Sequence, residues 1–162
     1  MTAKAHDLLA VYLNDHLAGS TVGTELARRL VASARHLPVS AAILTEFASQ
    51  AAADRTALVQ IMTALGVKIQ GYKVFAAWAG EKLGRLKPNG HLVTRSPLSS
   101  LVELEIMRLS VEGKAAGWRT LRELAERDSR LDAVRLDELI SRAARQADLL
   151  ESLRARVAGQ TF

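Results

Sequence analysis

The sequence predicts an all-α chain folded as an up-down-down-up four-helix bundle, with a long helical crossover between the second and third helices. Three observations carry that expectation. Alanine, leucine and arginine dominate the 162 residues while aromatics and prolines are scarce, a balance that favours helices over strands. Apolar residues recur near every 3.6 positions over four long segments, with no repeated Val/Ile/Thr alternation. Two of the connections are short turns, and the third, residues 66–96, is long enough to travel the length of a bundle.

The first helix is expected from about Ala5 to Arg35, ending before HLPVS, where Pro38 stops it and Ser40 can cap the next. The second runs to about Leu65, with Gly66 as its C-terminal stop. Pro97 after Ser96 is a favourable start for the third, which continues to about Arg127. RDSRLD then turns the chain into a fourth helix from about Asp132 to Val157. Short turns require antiparallel neighbours, so the first helix pairs with the second and the third with the fourth. The long crossover lets the third helix start at the same end as the second.

The length suits one domain, residues 1–162, with a single core. The absence of cysteine excludes disulfides, thiolate metal sites and cysteine nucleophiles. Neither a secretory leader nor a membrane-length apolar run is visible, so the chain is expected to be soluble and cytoplasmic. No phosphate loop or nucleophile elbow occurs, and histidines at 6, 16, 36 and 91 do not suggest a hydrolase triad on long helices. Gly19/Gly23, Gly80/Gly84 and Gly113/Gly117 form Gly-x-x-x-Gly pairs. Glycine inside a helix costs about 1 kcal/mol relative to alanine. Close helix approach within the fold is the expected reason for these pairs, with a subunit contact in a homo-oligomer as the alternative.

Each helix also interrupts its apolar stripe with polar residues. The second has Ile43, Phe47, Gln50, Asp54, Leu58, Ile61 and Leu65 at spacings of three and four. The third is read as placing Glu105 and Glu112 on a stripe with Leu98, Leu101, Val102, Leu109 and Ala116. The first contributes His16, and the fourth places Gln146 among Leu136, Leu139, Ala143, Leu150, Leu153 and Val157. Counting from the turns brings Asp54, Glu112, His16 and Gln146 to similar heights, with Glu105 nearer Gln50. Buried carboxylates need a partner. Arg108, Arg119, Arg142 and Arg145 could supply a structural ion-pair network; His16, Asp54 and Glu112, with Glu105 or Glu46, could alternatively hold a metal.

This layout, with YLNDHLAGST and VELEIMRLSVEGK, resembles the ferritin-like superfamily over nearly the whole chain, in particular bacterial members without an assigned function. Members with a dinuclear iron or manganese centre use a glutamate from each of two helices and a Glu-x-x-His pair from each of the other two. By position, Glu112 matches the third-helix glutamate, Asp54 falls in the second-helix ligand region, and His16 stands where the first helix would give glutamate. The chain departs from the pattern, because Ser49 follows Glu46 and Ala57 follows Asp54 where histidine would be required. The fourth helix has no histidine. The resemblance therefore implies a degenerate ligand set, a mononuclear iron or manganese site at most.

The charge is uneven. Residues 66–96 carry six basic side chains, Lys68, Lys73, Lys82, Arg85, Lys87 and Arg95, against Glu81, a net of +5 that equals the formal charge of the whole chain. Tyr72, Phe75 and Trp78 lie among them. A docked amphipathic helix with its basic face in water is the plain reading. A surface for an acidic protein or an anionic membrane is the sharper one, with Lys68, Lys73, Lys82, Arg85 and Lys87 as contacts; no nucleic-acid motif accompanies it. The expected role is a non-catalytic binding or scaffold module. The alternative is an atypical metal-handling or redox protein with a carboxylate–histidine site in the bundle.

Overall fold

The computed structural model describes residues 3–70 and 97–162 and is all-helical there. Four long helices make up the bundle: α1 (Ala3–Ala32), α2 (Ala41–Ala64), α3 (Pro97–Leu124) and α4 (Ala133–Thr161). The expected crossover helix, Gly80/Gly84 and the cationic residues Lys73, Lys82, Arg85 and Lys87 lie outside the described residues.

Local chemistry sets the boundaries. α1 stops three residues earlier than expected, because the chain tightens into a 3-10 turn at Ala34–His36 before Pro38. Ser40 caps α2, its Oγ accepting from the Ile43 amide at 3.4 Å. At the other end Gly66 takes φ +71°, and the Val67 amide reaches back to the Met62 carbonyl at 2.9 Å. That closure needs a left-handed residue, which glycine adopts without a Cβ penalty. Asp132 caps α4, its Oδ1 accepting from the Arg135 amide at 3.1 Å. α4 then continues past Val157 to Thr161.

Side-chain pairs give the helix directions. Thr21 of α1 accepts from Arg55 Nε of α2 at 3.0 Å, while His6 near the start of α1 lies 3.3 Å from the Leu65 carbonyl. Tyr12 of α1 donates to Thr120 of α3 at 3.2 Å, and Gly23 faces Ser110. Arg122 of α3 pairs with Asp137 of α4 at 3.0 Å, and Arg108 with Glu151 at 3.4 Å. Gln50 and Gln146 join α2 to α4 at 3.1 Å, as do Gln60 and Arg135 further along. In every pair numbers rise on one helix as they fall on the other. α1 and α4 therefore run one way, and α2 and α3 the other.

The core follows the expected stripe closely on α4, where Leu136, Leu139, Ala143, Gln146, Leu150, Leu153 and Val157 are all buried. On α2 most of the stripe is buried, but Leu44 replaces the exposed Ile43. The expectation fails on α3. Leu101, Leu104, Met107, Val111, Ala115, Trp118 and Leu121 face inward, whereas Leu98, Val102, Glu105, Leu109, Glu112 and Ala116 are exposed. The helix is turned by about one residue, roughly 100°, from the expected phase. Two apolar stripes were available, and only the one occupied avoids stripping water from Glu105 and Glu112.

Candidate functional site

The polar layer is centred on Asp54, which projects from α2 and is 2% exposed. Lys114 of α3 donates from Nζ to Asp54 Oδ2 at 2.5 Å. Arg142 of α4 brings Nη2 within 2.5 Å of Oδ1, an ionic contact rather than an aligned hydrogen bond. Lys114 also donates to Gln146 Oε1, Gln146 Nε2 donates to Gln50 Oε1 at 3.1 Å, and Gln50 Nε2 donates to Glu46 Oε1 at 2.8 Å. A chain of polar contacts thus crosses three helices from a buried carboxylate to the surface. Burial pulls Lys114 below its ordinary pKa; Asp54 opposes that shift, and Arg142 adds to it.

The structure brings some of the expected site residues together and separates others. Asp54, Gln146 and Gln50 meet, and Arg142 is the arginine that reaches the carboxylate. Glu105 and Glu112, expected inside, are exposed through the turned phase of α3, and Glu46 is exposed at the outer end of the chain of contacts. Lys68, the described member of the expected partner surface, is exposed. Sequence reasoning missed Lys114. Its signal was available, since in the correct phase it follows Met107 and Val111 and precedes Trp118 on the inward face.

His16 sits at the α1–α3 contact. Its ring packs edge-on to Tyr12 at 4.4 Å, and a Cβ added at Gly117 would lie 3.0 Å from it. A Cβ there would press on the imidazole, so glycine lets the two helices approach with the ring between them. Gly23 serves the same close approach, where a Cβ would meet Ser110 Oγ at 2.8 Å. Gly19 and Gly113 act differently, since a Cβ at either meets nothing within 4 Å.

Burial lowers the His16 pKa below 6.5, against a smaller opposing pull from Asp15. In the window just below 6.5 the unfolded chain therefore binds the proton more readily than the folded one. Stability from this residue is present above the window and is lost as the pH falls through it. His16→Gln is expected to flatten the fall in unfolding free energy between neutral and mildly acidic pH, measured by urea titration at several pH values. An unchanged slope would assign the fall to other groups.

Between α1, α2 and α3 lies a cavity of about 440 Å³. His16, Asp54, Lys114 and Trp118 are in its wall, with Gly19, Gly23, Gly113 and Gly117 widening it, and the lining is mainly apolar. Its size is that of a small-molecule site. The chain matches no protein-family model, no curated protein and no solved structure.

The expected metal ligands do not form a donor set. Asp54 is held by two cations, which a metal would have to displace, while Glu105 and Glu112 point away from it. Among the described residues no three His, Asp or Glu side chains are grouped to hold an ion. A bridging dinuclear centre needs several converging carboxylates, and the residues here do not fit one.

Proposed function

We propose that this chain is a non-catalytic helical binding module of ferritin-like layout, which holds a small, largely apolar molecule between α1, α2 and α3. One observation carries the reading: the buried charges are committed to one another beside a mainly apolar cavity. Asp54 clamped by two cations is poorly placed to act as a base, whereas the cavity walls can enclose apolar surface at about 25 cal/mol per Å². The helix directions support the ferritin-like layout.

N-phenylnaphthylamine, a neutral apolar fluorophore, is expected to bind saturably with one site per chain. Gly19→Leu is expected to abolish that signal while leaving the far-ultraviolet helix spectrum intact, because its side chain enters open space. Binding that is non-saturable, or unchanged in a folded Gly19→Leu variant, would reject the cavity as the site.

The cationic stretch that begins at Lys68 supports a second contact, with an acidic protein surface. Salt-dependent retention on immobilised polyglutamate should weaken in Lys82→Glu with Arg85→Glu, since attraction between opposite charges is long-range and screened by salt. Identical elution would place that contact elsewhere.

A further inference from the structure

Of the glycines in the cavity wall, Gly23 and Gly117 are explained by close packing and Gly19 and Gly113 are not. A Cβ at Gly23 would meet Ser110 Oγ at 2.8 Å and one at Gly117 would meet the His16 ring at 3.0 Å, so α1 and α3 touch at these two levels. A Cβ at Gly19 or Gly113 meets nothing within 4 Å. Each nevertheless carries the cost of glycine inside a helix, about 1 kcal/mol relative to alanine. Their position in the wall supplies a reason.

The two touching levels lie seven residues apart on each helix, from His16 to Gly23 on α1 and from Ser110 to Gly117 on α3. Gly19 and Gly113 fall between them, and the antiparallel register set by Tyr12 with Thr120 and Gly23 with Ser110 places them at the same height. Among the described wall residues Asp15, Gly19 and Gly113 are the exposed ones, so the cavity meets solvent there. The opening is a slot. Its length is seven residues of helix, about 10 Å at 1.5 Å per residue. Its width is small, because the contacts at either end hold two stiff helices together and leave little more than the room of two missing side chains.

We infer that the cavity is loaded through this slot, and that Gly19 and Gly113 restrict its ligands to unbranched or flat apolar molecules, which can enter edgewise. This rests on the cavity reading above and adds the route of entry and the shape of the ligand. A cavity of about 440 Å³ has room for a compact branched molecule as well as for a thin one, so volume does not choose between them. Passage does. An alkyl chain or an aromatic ring presents a narrow profile, whereas a molecule branched in every direction must part the packed contacts on either side of the slot.

Because the chain has no cysteine, a single thiol can be placed at the opening. In Gly113→Cys a mixed disulfide with thionitrobenzoate sets a bulky group there, and a reductant removes it. Capping before N-phenylnaphthylamine is added is expected to slow its entry at least about tenfold, and capping after loading to slow its release similarly, since a barrier at an entrance acts in both directions. The reductant should restore both rates. The same cap on Val134→Cys, 70% exposed on a helix that contributes nothing to the cavity wall, is expected to change neither. If capped Gly113→Cys does not fold, Gly19→Cys provides the same test from α1. Shape is read by competition between decan-1-ol and its isomer triisopropylmethanol, each scaled by its partition between water and octanol. The linear alcohol is expected to compete at least about tenfold better. Rates unchanged by the cap, or slowing of release alone, would overturn the entrance, and equal scaled competition would overturn the shape restriction. Either result leaves the cavity reading standing, whereas failure of the unmodified chain to bind the fluorophore saturably removes both.

Discussion

Asp54→Ala is expected to destabilise the folded chain by about 3 kcal/mol, because it leaves Lys114 and Arg142 facing each other without their shared carboxylate. Breaking a buried pair by removing one partner costs about 3–5 kcal/mol. The lower end applies here, since the Lys114 and Arg142 side chains retain 17% and 29% exposure and can be partly rehydrated. Against a typical total of about 5–15 kcal/mol, such a loss is a large share of the stability. Replacing the whole cluster is a different matter. Asp54→Leu with Lys114→Met and Arg142→Met removes the charges together, and similar replacements are often neutral or stabilising. Urea unfolding followed by circular dichroism distinguishes the two cases. A loss below about 1 kcal/mol in Asp54→Ala would mean that water already solvates the layer.

Trp118→Ala carries a comparable expected effect by a different mechanism. The ring is buried on α3 beside the existing cavity, and removing it enlarges a space whose helical walls cannot collapse far. Truncation of a buried tryptophan costs about 3–5 kcal/mol. Trp118→Phe separates the ring from its N–H. Nε1 makes no hydrogen bond in the folded chain, so its removal relieves a desolvation cost while losing some apolar area. Phenylalanine is therefore expected to be tolerated within about 1 kcal/mol. If it proves as costly as alanine, the indole N–H has an energetically important partner.

Gly19→Leu is expected to exchange binding for stability, since replacing glycine by leucine favours the helix while filling the cavity. A more stable protein that no longer binds is the expected outcome.

Much of the bundle was legible in the sequence because the signals are local. Pro38 and Ser40, Gly66, and Asp132 mark helix ends through backbone geometry and capping, which neighbouring helices hardly change. α4 was also legible inside and out, since its polar residues leave one apolar stripe and Gln146 is the break in it. α3 was not. Its apolar residues fit two stripes about one residue apart, and periodicity within a helix cannot choose between them. Packing against α1 and α4 chose the stripe with Trp118 and Leu121, turning Glu105 and Glu112 outward and Lys114 inward.

The candidate site therefore changed character although Asp54 and Gln146 kept their places. From the sequence alone, the second-helix carboxylate shared its layer with other carboxylates, and either an arginine network or a metal could have been its partner; in the fold it meets Arg142, one of the arginines named, and Lys114, which was not. The sequence by itself determined the helices, their caps and the presence of a polar layer, because those follow from short-range backbone chemistry and residue spacing. Only the tertiary structure decided the sign of the charges that meet Asp54 and the cavity beside them, because a 100° turn of one helix exchanges acid for base at little cost to its own hydrogen bonds.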